Sequence, residues 1–239
     1  MNIVENNNTT YIDSLFMALF YGRTNIYNRL LETKIMNNKI LYFQEIIKHN
    51  FIGPIRNKKS IRLEDIYFIR NFIYFHLKYK SPDIIQSEQD ITDFFCFMME
   101  LLCDSYHVIN VNIDSDPKNL NSCSISDALK KDDMKFIELP NIVGLKINKK
   151  NGVEVDIKEK IRLDKKDGNL GKIKWNIHSV ICRDIRSQSY YTILIDEHNV
   201  WYLFNSRSIP SIKKVDMADK IFVQKIKSEV SLVIYQYFF

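Results

Sequence analysis

Few side chains in this sequence are able to do covalent or metal chemistry, and they are scattered along it. The four cysteines are Cys96, Cys103, Cys123 and Cys182. None forms a CxxC pair, so the spacing excludes a zinc ribbon, and no metal or other cofactor is implied. Cys96 and Cys103 fall in an apolar helical stretch, where a thiol serves as a small core hydrophobe. Unpaired thiols of this kind point to a reducing compartment. His49, His76 and His107 lie in or beside helical segments and read as structural. His178 lies on an expected strand and His198 at the tip of an expected hairpin. The run Gly168, Asn169, Leu170, Gly171, Lys172 lacks the spacing and the following Ser/Thr of a phosphate loop, and a turn between strands accounts for it. Thr10 is the hydroxyl with a defined local setting. It stands three residues before Asp13 at the head of an apolar pattern, the arrangement of a capping box. There it would accept a backbone N–H, a role worth about 1 kcal/mol.

The elements that position these groups change period half-way along the chain. After Thr10, the residues Ile12, Leu15, Phe16, Leu19 and Phe20 share one helical face, and Gly22 can end the helix. Helical spacing continues over about 25–36, 39–49, 63–79 and 89–106. From residue 136 onward the pattern becomes that of strands: 136–139, 142–147, 153–157, 174–183, 189–196, 200–205, 220–226 and 230–238. Helices first and strands second imply an α+β fold with a mostly antiparallel sheet beside the helices. A four-residue loop over 196–199 pairs Ile195 with Val200 and, counting outward, Tyr190 with Asn205. Segment 112–124, rich in Asp, Asn and Ser, reads as an exposed loop.

Three separated segments resemble the ubiquitin-specific protease family, in the family's order. Asn8, Thr9, Thr10, Tyr11, with Ala18, Leu19 and Phe20 behind them, resemble the cysteine box that opens a helix. Gln89, Asp90, Ile91, Thr92, Asp93, Phe94, Phe95 are similar to the Gln-Gln-Asp-x-x-Glu-Phe box. Ser189, Tyr190, Tyr191, Thr192 and then Trp201 to Asn205 resemble the Gly-His-Tyr strand and the Trp-x-x-Phe-Asp/Asn strand. Segments 124–129, 137–140 and 231–235 carry smaller likenesses. The resemblance implies one domain over 1–239: a helical, thumb-like part over 1–110, a reduced fingers region over 111–135, and a palm-like sheet over 136–239. An active-site-like cleft would lie between helices and sheet.

The departures from the family pattern carry the functional reading. The nucleophile position holds Thr10, the histidine position Tyr190, and the residue that orients the imidazole falls at Asn205. Ser189 replaces the preceding glycine. Glu88 stands for the first Gln of the middle box and Asp93 for its Glu. The oxyanion-supporting Asn falls at Glu5, with Asn6 to Asn8 nearby, and the fingers' CxxC pairs are missing. A cysteine at a helix N-terminus beside an imidazole ionises readily, whereas a threonine hydroxyl needs a strong base. A phenol, with a reference pKa near ~10, is a poor one at neutral pH. His198, eight residues along the strand from Tyr190, would be roughly 26 Å away. The resemblance therefore implies a pseudo-protease. Gln89, Asp90, Asp93, Tyr191 and Trp201 occupy the positions that hold the ubiquitin tail. Asp90 and Asp93 suit bidentate pairing with arginine, and Asp90 equally suits capping the helix that follows. Trp201 and Tyr191 are core candidates as well as contact candidates.

Composition narrows the partners. The net charge of +5 comes from 34 basic and 29 acidic residues, and the Lys pairs lie among acids, so a solvated surface is expected and a nucleic-acid partner is not. No apolar run is long enough for a membrane span, and residues 1–8 are polar without the apolar core of a signal peptide. The expected partner is ubiquitin, a ubiquitin-like protein or another protein, in the cytoplasm or nucleus. The competing readings are a structural protein, including one of a virion, that kept only the scaffold, and a working isopeptidase with unorthodox residues.

Overall fold

The structure, a computed structural model, describes residues 10–33, 35–57, 59–79, 89–103, 105–113, 123–125, 129, 135–136, 138–150, 153–165, 173–208 and 210–237. The helical layer comes first: α1 (Thr10–Phe20), α2 (Thr24–Tyr27), α3 (Asn38–Ile46), α4 (Gly53–Arg56), α5 (Leu63–Phe75) and α6 (Ile91–Leu102), with π-helical turns at Asn28–Glu32 and Ile47–Ile52. The strands are β1 (Tyr106–Ile113), β2 (Cys123–Ser124), β3 (Lys135–Phe136), β4 (Ile142–Lys149), β5 (Val155–Asp156), β6 (Lys160–Lys165), β7 (Ile173–Asp184), β8 (Ser189–Ile195), β9 (Trp201–Phe204), β10 (Ile212–Lys214) and β11 (Val230–Tyr237). A last helix, α7 (Lys220–Glu229), precedes β11.

The main sheet runs β1-β4-β11-β7-β8-β9-β10, with β6 also pairing on β7 and β3 on β6. It is largely antiparallel, as expected; β1 with β4 and β3 with β6 are parallel. Strand alternation divides its residues between two cores. One face carries Tyr190, Leu194, Ile181, Phe204, Leu232 and Ile234 against the helical layer. The other carries Tyr191, Ile193, Cys182, Val233 and Tyr235 against α7 and its neighbours. The chain is thus a sheet between a thick helical layer and a thin one.

Several boundaries differ from the sequence expectation. Residues 220–226 form a helix, not a strand: Asp219 accepts N–H bonds from Ile221 and Phe222 and starts α7, whose buried residue is Ile226. Residues 106–113 are strand β1 and not a helix end, because Ile109, Val111 and Ile113 alternate with exposed neighbours. The helical layer therefore ends at Leu102, earlier than residue 110. The strand expected over 136–139 is only Lys135–Phe136, and β6 and β10 were not expected. Most of the 112–124 loop, much of the fingers span, and the Gly168–Lys172 run lie outside the described residues, as do Glu5, Asn6 to Asn8 and Glu88.

Candidate functional site

The site grows from α1, all of whose residues are buried. At its first turn the backbone N–H of Tyr190 donates to Thr10 Oγ1 at 3.0 Å. Two residues along β8 the Thr192 hydroxyl donates to the Ser14 carbonyl at 2.8 Å. Residues 190, 192 and 194 point the same way along a strand, so this edge of β8 lies along the helix. Past the end of α1 the backbones meet more closely still. A Cβ on Gly22 would stand 2.7 Å from the Ile195 carbonyl oxygen, which only glycine avoids. The next residue, Arg23, donates to the Ile177 carbonyl at 3.2 Å and to Asn199 Oδ1 at 2.7 Å. Glu197 accepts the N–H and the hydroxyl of Thr24 at 2.6 and 2.7 Å. Those bonds hold its carboxyl below the ordinary glutamate range.

The structure brings Thr10 against the backbone of Tyr190 and does not set Asn205 directly opposite Tyr190. Thr10 is 0% exposed and Tyr190 4%, and the Tyr190 ring has the Arg183 guanidinium 5.8 Å from its centroid. The hairpin register differs by one residue from the expected one. Ile195 pairs with Trp201 and Thr192 with Phe204; continued two residues, the ladder sets Tyr190 opposite Ser206. The cause is the turn. Asp196 N–H donates to the Val200 carbonyl, Asp196 Oδ1 accepts the His198 and Val200 N–H groups, and Asn199 takes φ 58°. That is a three-residue hairpin loop with a left-handed last residue, not a four-residue one. Asn205 instead builds a turn of its own, accepting Arg207 N–H at 3.0 Å and donating its N–H to Ser211.

The positions expected to hold a tail are dispersed. Tyr191 faces away from α1, where its hydroxyl donates to Glu229 Oε2 at 2.7 Å and burial raises its phenol far above the ordinary range. Trp201 is half-buried on that same far face. Asp90 is the N-cap of α6, with Oδ1 accepting Thr92 and Asp93 N–H, and its other oxygen lies 3.6 Å from Lys146 Nζ. Asp93 is exposed on the first turn of α6, and Gln89 is half-buried just before it.

His178 does not take over at Thr10. His178 is buried against the backbone of Ala18 and Leu19, and burial keeps its imidazole neutral, pushing its pKa down to about 4. Those residues lie about 12 Å along the helix from Thr10. A cavity of about 890 Å³ opens where α6 and β11 end, lined by Ile26, Arg29, Glu100, Cys103, Ile142 and Gln236. Among the described residues there is no cluster of three metal-ligating side chains, and no helix is long and apolar enough to cross a membrane.

Neither a protein-family model nor a curated protein sequence matches the chain. Solved structures do. The SAGA Ubp8/Sgf11/Sus1/Sgf73 DUB module bound to ubiquitin aldehyde aligns with TM-score 0.69 at 9% identity, over 100% of this chain and 69% of that one. The fold is that of the ubiquitin-specific proteases. The module bound to monoubiquitin gives TM-score 0.65 at 9% identity over the same shares. The Ubp8-Sgf11-Sgf73-Sus1 module gives 0.66 at 10%, over 100% of this chain and 67% of that one. Identity at this level speaks for the ubiquitin-specific protease fold alone.

The residue types did not point to the bond from Thr192 to α1, to the close approach at Gly22, or to the clasp of Arg23 and Thr24 on Asn199 and Glu197. Thr192 was legible by alternation, being two residues beyond Tyr190 on one strand face. The Gly22 approach and the clasp depend on the hairpin turn, whose geometry the residue types alone left open.

Proposed function

We propose that this chain is a ubiquitin-specific-protease-fold module that binds ubiquitin, a ubiquitin-like protein or another protein partner without cleaving it. The observation that carries this reading is the hydrogen bond from Tyr190 N–H to Thr10 Oγ1. It gives the hydroxyl at the head of α1 a structural task, and the neighbour it comes from bears a phenol. A threonine hydroxyl attacks a carbonyl only when a base removes its proton. The imidazole of His178, uncharged and at the other end of α1, is out of reach. The similar solved modules are complexes, with ubiquitin aldehyde, with monoubiquitin and with Sgf11, Sus1 and Sgf73, which favours a binding role for the fold. Asp90 and Asp93, the exposed residues at the start of α6, present carboxylates on the surface there.

Two measurements test the reading. Incubation with ubiquitin-rhodamine should release no dye above the rate without protein; turnover that scales with protein concentration would mean that the chain is an active thiol- or hydroxyl-dependent enzyme. Titration of ubiquitin into fluorescently labelled protein should give a saturable shift. A flat titration would instead favour a scaffold that has lost the partner.

A further inference from the structure

We infer that the joint between α1 and β8 is closed, so that a ubiquitin-like partner is recognised through its folded body and not by threading its extended tail past Thr10. The inference rests on the binding reading above and narrows it to one mode of contact. An extended chain lying between helix and sheet needs about a strand's width, ~4.7–4.9 Å. The described residues leave no such width at this place. Thr10 is 0% exposed, Ser189 3% and Tyr190 4%, so the three positions that a tail would pass present almost no surface.

The closure has several independent causes. Tyr190 N–H and Thr192 Oγ1 are bonded to α1 at its first and second turns. Admitting a chain there would strip both bonds and expose the groups that make them. The Tyr190 ring belongs to the same core as Tyr11, Phe16 and Phe94, so it cannot swing out without opening that core. Two glycines then set the spacing of the layers. Gly22 brings the end of α1 against the Ile195 carbonyl. Gly144 on β4 leaves the room that the Phe95 ring of α6 fills, since a Cβ there would stand 2.5 Å from Phe95 Cε1. Beyond Gly22, Arg23 and Thr24 are tied to Ile177, Glu197 and Asn199. The helix is thus held at its start, middle and end, and releasing one attachment leaves the others in place.

Three readouts decide the matter. Full-length ubiquitin and ubiquitin lacking its C-terminal tail should bind with affinities within about twofold of each other; loss of binding on removing the tail would overturn the inference. In a Thr10→Cys variant the new thiol should resist iodoacetamide in native buffer, against the parent's own cysteines as baseline, and react in urea. Native labelling at the parent's unfolded rate would overturn it. In the unmutated protein, whose folding is not in question, the Tyr190 amide should exchange about a thousandfold or more slower than in an open chain; fast exchange would overturn it. If neither form of ubiquitin binds, the ubiquitin reading fails, while labelling and exchange still decide whether the joint is closed.

Discussion

The two faces of the sheet are joined to their helices by different chemistry. On one face α1 meets β8 through the neutral Thr10–Tyr190 and Thr192–Ser14 bonds and through glycine-close packing. On the other, α7 is held by groups that titrate. Tyr191 donates to Glu229, and Lys225 lies 3.8 Å from Glu229 and 3.6 Å from Asp184. Lys149 Nζ donates to the carbonyls of Val153 and Lys227 at 3.0 and 2.8 Å. Burial pushes the Lys149 ammonium down to about 8 and the Cys182 thiol up to about 12. The Thr10–Tyr190 and Thr192–Ser14 bonds of the first joint are therefore indifferent to pH across the neutral range and to salt, its charged groups Arg23 and Glu197 lying at the far end, while the second joint responds to both. The same sheet carries one fixed attachment and one adjustable one.

That contrast can be broken at its strongest point. Gly22→Ala drives a methyl into the Ile195 carbonyl and should cost about 2–3 kcal/mol, read as a lower urea midpoint with an unchanged slope. Thr10→Val comes next. It leaves the buried Tyr190 N–H without its Thr10 partner, and about 1–3 kcal/mol should be lost. The loss should be the same at high and low salt, because no charge is removed.

The adjustable face gives the pH test. Lys149 has an ordinary pKa of 10.5 and a folded one of about 8. Between those values the unfolded chain holds a proton that the folded chain has released. Stability should therefore rise with pH across that window, by about 1–2 kcal/mol once partial exposure is allowed for. Urea melts of the parent and of Lys149→Met at several pH values should differ in slope over that window, the variant being flatter; parallel curves would remove the Lys149 part of the contrast. Glu197→Gln is the smallest change. The clasp to Thr24 depresses this carboxyl, so its contribution is present above the unfolded glutamate pKa and fades as pH falls through the folded one. Because the group is exposed, the loss at neutral pH should stay under ~1 kcal/mol.

The parts of this architecture that burial dictates were readable in the residues. The apolar face of α1, the α6 run from Ile91 to Leu102 and the alternation of β8 all follow from what must be hidden. So did the helix-to-strand switch that makes the fold α+β. The failures share a different cause. Helix α7 hides only Ile226, and the strand-like Ile221, Phe222 and Val223 outweighed the signal of its Asp219 cap. The register of the β8–β9 hairpin turned on whether Asp196 stood inside the loop or closed it, which its side-chain bonds to His198 and Val200 decide. One residue there took Asn205 out of register with Tyr190. Of the candidate site, the nearness of Thr10 to position 190 was legible from the family resemblance, whereas the contact made by the Tyr190 backbone N–H was not. The outward turn of Tyr191 is the expected complement of a Tyr190 that faces α1.

The partners stitched at Thr10 and Tyr190 are 180 residues apart in sequence. During synthesis on the ribosome, α1 leaves the exit tunnel long before β8 exists, with a surface made almost entirely of groups destined for the interior. The β8 side of that helix stays bare until Ser189–Ile195 have been translated. Until β8 emerges, such a chain carries exposed apolar surface, and slowing translation just ahead of β8 should lower its soluble yield more than the same delay placed ahead of α1.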